Sequence, residues 1–100
     1  MVDLEQVREK LMEVYDPEIG IDIVDLGLIY SIEENEEGVI QVRMTMTTPG
    51  CPAHDMISNG AQLAAEQVEG VREVRVDVVW DPPWSPDMMN DIAKTLLRLR

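Results

Sequence analysis

The sequence predicts an α+β fold, a single domain over residues 1–100 in the order α-β-β-α-β-α, with helices packed on a three-stranded mixed sheet. Three observations predict it. Apolar residues recur at helical spacing in three segments, they alternate in three others, and the joints between segments carry Pro or Gly. A chain of 100 residues, 45% of them hydrophobic, is long enough to bury a core of its own. No repeat, linker or low-complexity stretch divides it. With no Phe and seven Met, that core must be built from Val, Ile, Leu and Met.

The first helix is expected over about residues 4 to 14. Asp3 with Gln6 reads as a capping box, and Leu4, Val7, Leu11, Val14 and Tyr15 follow at helical spacing. Asp16 stands before Pro17, which disfavours helical backbone and ends the run. The stretch "DPEIGIDIVD" mixes Pro, Gly and acids and is read as an ordered loop. A first strand is expected over about residues 27 to 33, where Leu28, Tyr30 and Ile32 alternate with Ile29 and Ser31. "EENEEG" is then a hairpin loop ended by Gly38. The second strand alternates most cleanly, with Ile40, Val42, Met44 and Met46 toward the core and Gln41, Arg43, Thr45 and Thr47 on a wet or functional face.

After the turn at Pro49 and Gly50, Pro52 suits the first position of a second helix. That helix directs Ala53, Met56, Ile57, Gly60, Ala61, Ala64 and Val68 to one face and ends toward Gly70. A third strand, about residues 72 to 80, alternates through Val74, Val76, Val78 and Trp80 until "DPPW" breaks it. Ser85 and Pro86 begin the last helix, with Met89, Ile92, Leu96 and Leu99 as its apolar stripe and Lys94, Arg98 and Arg100 toward its negative end.

Strands 1 and 2 are expected as an antiparallel hairpin, and strand 2, helix 2 and strand 3 as a parallel crossover. The start of strand 1 and the ends of strands 2 and 3 then share one edge of the sheet. Three loops converge there: "DPEIGIDIVD", "TTPGCP" and "DPPWSP". Strand carboxyl ends and helix N-termini gather ligands, so this edge is the expected site.

Eight basic against twenty acidic residues give a net charge of −12, which argues against nucleic acid or an anionic membrane as partner. A basic protein or a cation suits the surface better. One cysteine closes no intrachain disulfide, no leader-like segment precedes the first helix and no apolar run spans a bilayer, so a cytoplasmic location is expected.

The chemistry-bearing residues fall in the three loops. Cys51 is expected at or next to the N-cap of helix 2, where unpaired N–H groups and the helix dipole favour a thiolate; alternatively it is a small buried hydrophobe. His54, one helical turn on, could add a second metal ligand, although a histidine there more commonly faces solvent. Asp16 and Glu18 flank Pro17 and are read as hard-metal ligands, an acid/base pair or caps for loop N–H groups. Thr47 and Thr48 offer hydroxyls beside the thiol or simply close the turn. Asp81, Pro82 and Trp84, with Trp80, form a pocket wall or partner surface, or pack. With no second cysteine there is neither a C-x-x-C redox pair nor a four-thiolate cluster site within one chain, and no phosphate loop is present. A shared-cysteine site would favour a homodimer.

"DPEIGIDIVDLGLIY", "MTMTTPGCP" and "VVWDPPWSPDMM", in this order and spacing, resemble the metal–sulfur cluster biosynthetic family, the PaaD/SufT-like group once listed as a domain of unknown function. The resemblance covers nearly the whole chain. It implies a small α/β domain that helps assemble or deliver iron–sulfur clusters, or matures ring-oxidising oxygenases, and a polar cluster of Asp16, Glu18, Thr47, Thr48 and Cys51 with Asp81 to Trp84. His54 lies outside the family pattern. The leading expectation is a maturation factor, not an enzyme, in which Cys51 transiently ligates iron, a cluster or a persulfide sulfur. Its partners would be other iron–sulfur assembly proteins or apo-targets. The alternatives are an adaptor without chemistry of its own, and a thiol-dependent hydrolase or transferase in which His54 would have to activate Cys51.

Overall fold

A computed structural model of the protein describes residues 2–98. Asp3 opens the first helix, α1 (Leu4–Leu11): its extended backbone and a side-chain oxygen 3.0 Å from the Glu5 N–H satisfy the free amide end. Val7 and Leu11 are buried. The helix stops earlier than its apolar spacing suggested, because residues 12 to 14 turn back onto the carbonyls of Arg8, Glu9, Lys10 and Leu11. Tyr15 therefore leaves the helical face and stands 58% exposed.

The stretch expected as a loop contains a short antiparallel ladder, β1 (Tyr15–Asp16) with β2 (Ile21–Asp22). Strands this brief display no alternation. The main sheet joins β3 (Ile29–Glu36), β4 (Val39–Met44) and β5 (Glu73–Val78) in the order β3-β4-β5. The first pair is antiparallel and the second parallel, with α2 (His54–Glu66) in the crossover. Most of the acidic "EENEEG" segment is strand: β3 runs through a register shift to Glu36, opposite Val39. Only Glu37 and Gly38 turn, with Gly38 at φ +79°.

Ile40, Val42, Met44 and Met46 are buried as their alternation implies, with Leu28, Ile57, Ala61 and Ala65 in the same core. The other face of β4 is not simply wet. Gln41 is buried and donates to Asp77 Oδ2 at 2.9 Å, and Thr45 is buried as well, while Arg43 reaches out to Glu33 at 3.4 Å. Met56, expected on the packed face of α2, is 65% exposed.

Ser85 and Pro86 open a single 3₁₀ turn, Pro86–Met88, and not the last helix. The helix proper, α3 (Asp91–Arg98), starts where Asn90 Oδ1 accepts the Ala93 N–H at 3.0 Å. Because Asn90 is tied to Asp25, the helix is rotated so that Ala93 is buried and Leu97 packs on the core. Of the expected stripe, Ile92 and Leu96 face out and Met89 precedes the helix, while Leu99, like Arg100, lies outside the described residues. Among the described residues no helix is long and apolar enough to cross a membrane.

Candidate functional site

The register of the sheet builds the edge on which the loops meet. Ile29 lies opposite Met44 and Met44 opposite Val78. The Thr45 N–H donates to Leu28 O at 2.9 Å and the Val79 N–H to Met44 O at 2.7 Å. The start of β3 and the ends of β4 and β5 thus stand side by side.

Leaving β4, the chain passes the half-buried Thr47 and exposed Thr48, Pro49 and Gly50 before it dips inward at Cys51, which is 4% exposed and packs in the apolar core. The Cys51 N–H reaches Thr48 O at 3.3 Å, and the Cys51 carbonyl accepts the His54 N–H at 3.0 Å. That second bond closes a turn ahead of α2, which absorbs Pro52. Ala53 is consequently the N-cap, without a side-chain cap bond, and Cys51 lies outside the cap position expected for it. Apolar packing holds the thiol, together with the turn above it.

His54 is turned elsewhere. Its Nδ1 is 3.3 Å from Asp55 Oδ1, and its ring stacks on Trp80 with centroids 6.3 Å apart and planes 21° apart. The contact links the start of α2 to the stretch leaving β5.

Asp16 and Glu18 are drawn apart by their surroundings. Asp16 is 1% exposed, with Oδ1 accepting the Glu18 N–H at 2.9 Å, whereas Glu18 itself is exposed. Asp16 therefore does cap a loop amide. Its other oxygen, Oδ2, is buried with no hydrogen-bond partner among the described residues. A buried carboxylate oxygen left unpaired is costly, so Oδ2 is an acceptor open to a donor or a cation.

Two residues of consequence escaped the sequence reading. Asp22 and Asp25 are both buried, and Asp22 Oδ2 accepts the N–H groups of Val24 and Asp25, each at 3.0 Å. Burial, reinforced by the Asp25 carboxyl, pushes the Asp22 pKa from 3.8 up to about 6. Acidic residues are so commonly exposed that nothing in "GIDIVD" marks these two as interior.

The third stretch acts as a clamp. Asp81 and Pro82 are exposed, but Pro82 O accepts the Tyr30 hydroxyl at 2.8 Å. Trp84 Nε1 donates to Leu26 O at 2.7 Å, so this ring is a strut more than a pocket wall. Asn90 donates from its backbone to Asp25 O at 3.0 Å and from Nδ2 to Asp25 Oδ1 at 2.7 Å. Gly27, at φ +80°, lets the two segments touch: a Cβ there would lie 2.2 Å from Met88 O.

Among the described residues no three His, Cys, Asp or Glu side chains gather to hold a metal ion. Within that set, the chain offers one thiol and one buried carboxylate oxygen without a hydrogen bond, Asp16 Oδ2. Residues 4–78 match the family model for an iron-sulfur cluster assembly protein. The chain belongs to that family.

Its similarity to other proteins runs along most of its length. It is 42% identical over 89 residues to the "Fe-S protein maturation auxiliary factor" of Porphyromonas gingivalis, covering 89% of this chain and 85% of that one. It is 43% identical over 84 residues to the "Fe-S protein maturation auxiliary factor SufT" of Staphylococcus aureus, covering 84% and 96%. A crystal structure of a domain of unknown function from Bacillus anthracis superposes with a TM-score of 0.92 at 39% identity, covering 96% of this chain and 92% of that one.

Proposed function

We propose that this protein is a cytoplasmic, non-enzymatic iron–sulfur maturation factor in which Cys51 is the ligand that takes up iron or a cluster as cargo. The reading rests on one observation: the chain's only thiol sits in the stretch leaving β4, directly after the exposed Thr48, Pro49 and Gly50. When that stretch lifts, the thiol gives up its proton to solvent. The thiolate then forms a bond to iron and displaces a water or donor ligand. Asp16 Oδ2 is the proposed polar neighbour, with Thr47 and Thr48 as lesser oxygens. The remaining ligands come from the donor, the apo-target or a second copy of the chain. Asp81, Pro82 and Trp84 frame the site from the adjoining stretch. His54, engaged with Asp55 and Trp80, has no assigned part in it.

Iron and acid-labile sulfide content after anaerobic purification tests the proposal. Iron retained by the parent and lost in Cys51→Ser is the expected outcome. Full rescue by Cys51→Ala of cells whose iron–sulfur enzymes depend on the gene would remove the thiol from the mechanism. A second reading, an adaptor that bridges assembly factors and targets without holding metal, is favoured by the burial of Cys51 in apolar core. A protein that stays colourless under iron and sulfide yet still forms a complex with an assembly factor would establish it.

A further inference from the structure

Away from the thiol, the surface between α1 and α2 carries two adjoining hollows of about 370 and 360 Å3 that share Glu13 and Gln67. The first is the more apolar. Tyr15, Met56 and Leu63 stand 58%, 65% and 62% exposed around it. Its floor is low because Gly60 has no side chain, and a Cβ there would already come within 3.3 Å of Val14. The second hollow is acidic, lined by Glu9, Glu13 and Glu69 with a single cation, Lys10, which pairs with Glu13 at 3.5 Å. Glu9 and Glu69 have no ion-pair partner among the described residues. Helix α2 contributes no Lys or Arg.

Large exposed apolar side chains grouped in a groove mark an interaction surface. We propose that this groove docks an amphipathic helical segment of a partner protein, with its apolar stripe over Tyr15, Met56 and Leu63 and its Lys or Arg residues over Glu9 and Glu69. Charge selects the occupant. A second copy of this chain would bring Glu9, Glu13 and Glu69 against their like, and an anionic membrane would be repelled by the same carboxylates. A basic amphipathic helix meets both halves of the surface. Met56 lies in the first turn of α2, close in sequence to Cys51. The inference rests on the maturation-factor reading and names the chemistry of its partner.

The test uses a synthetic helix of about 15 residues with leucines at i, i+4 and i+7 and lysines at one end. It is titrated into the isotope-labelled protein and followed by amide chemical shifts. Expected are shifts centred on Tyr15, Met56, Leu63, Glu9 and Glu69, and binding about tenfold weaker in the Met56→Ser/Leu63→Ser double variant. The Glu9→Lys/Glu69→Lys pair should weaken binding several-fold and flatten its salt dependence. Because the substituted side chains are exposed, circular dichroism should match the parent. Absence of binding, shifts centred elsewhere, binding by both double variants as tight as the parent's, or a dimer in sedimentation that Met56→Ser/Leu63→Ser dissolves would each overturn the proposal. Cys51→Ser should bind the peptide as the parent does. If Cys51→Ser abolishes enzyme maturation in cells while both groove variants support it fully, the groove proposal fails and the thiol reading stands. If Cys51→Ala matures enzymes normally, the thiol reading fails whatever the peptide does.

Discussion

Two stretches leave the same edge of the sheet, one after β4 and one after β5, and they are held in opposite ways. The stretch after β5 is fastened at Pro82, Trp84 and Asn90 to Tyr30, Leu26 and Asp25, and Met88 sits against Gly27 with no room for a side chain. The stretch after β4 spans exposed Thr48, Pro49 and Gly50 on a single 3.3 Å bond from Cys51 to Thr48, with open space around Gly50. Local stability follows the density of such ties, so the first stretch is a frame and the second the part free to move. The thiol lies where that part meets the core, packed among apolar side chains.

One kind of substitution, made at the glycine that faces the first stretch and at the glycine within the second, puts that contrast at risk. Gly27→Ala forces a left-handed backbone on alanine and drives its Cβ into the Met88 carbonyl. A loss of at least about 3 kcal/mol in urea unfolding is expected. Gly27→Ala as stable as the parent would mean that the clamp is not rigid.

The buried acid pair under the clamp gives the second test. Asp22 binds its proton more tightly folded than unfolded, so its contribution is fully present below pH 3.8 and is lost as pH rises through about 6. Asp22→Asn keeps an oxygen for the Val24 and Asp25 amides but has no proton to lose. Its stability should therefore fall less than the parent's between pH 4 and pH 7, with the two curves diverging by about 1 to 2 kcal/mol. Parallel curves would show that Asp22 does not titrate in this window.

The smallest effect is expected in the movable stretch. Gly50→Ala meets nothing within 4 Å, so only the φ of +76° opposes it, and the cost should be about 1 kcal/mol. A loss as large as that of Gly27→Ala would erase the distinction between the two stretches.

How far the sequence could be read follows the same division. Helix α2 and strand β4 are long and periodic, and residues such as Ile40, Val42, Ile57 and Ala61 lie where that periodicity puts them. The convergence of strand ends at one edge also follows from element order. The helical reading failed where two stripes of equal spacing competed: Ile92 and Leu96 against Ala93 and Leu97 in α3. Only the Asn90–Asp25 tie, between residues far apart in sequence, decides that rotation. Asp22 and Asp25 were illegible for the same reason, since burial of an acid depends on what is laid over it. Cys51 was located in the right turn but one layer too far out, because the turn closed by His54 N–H delays the helix.

A thiol at 4% exposure reacts only during a local opening that exposes it. Every encounter with oxidant or donor is slowed by the same factor, about a hundredfold for an opening cost of about 2.8 kcal/mol. In the proposed role of Cys51, protection in transit and speed of handover are then set by one equilibrium. Under that proposal, a partner that stabilises the open state would shift the equilibrium only while it is present, and its arrival would be the timing signal for exchange.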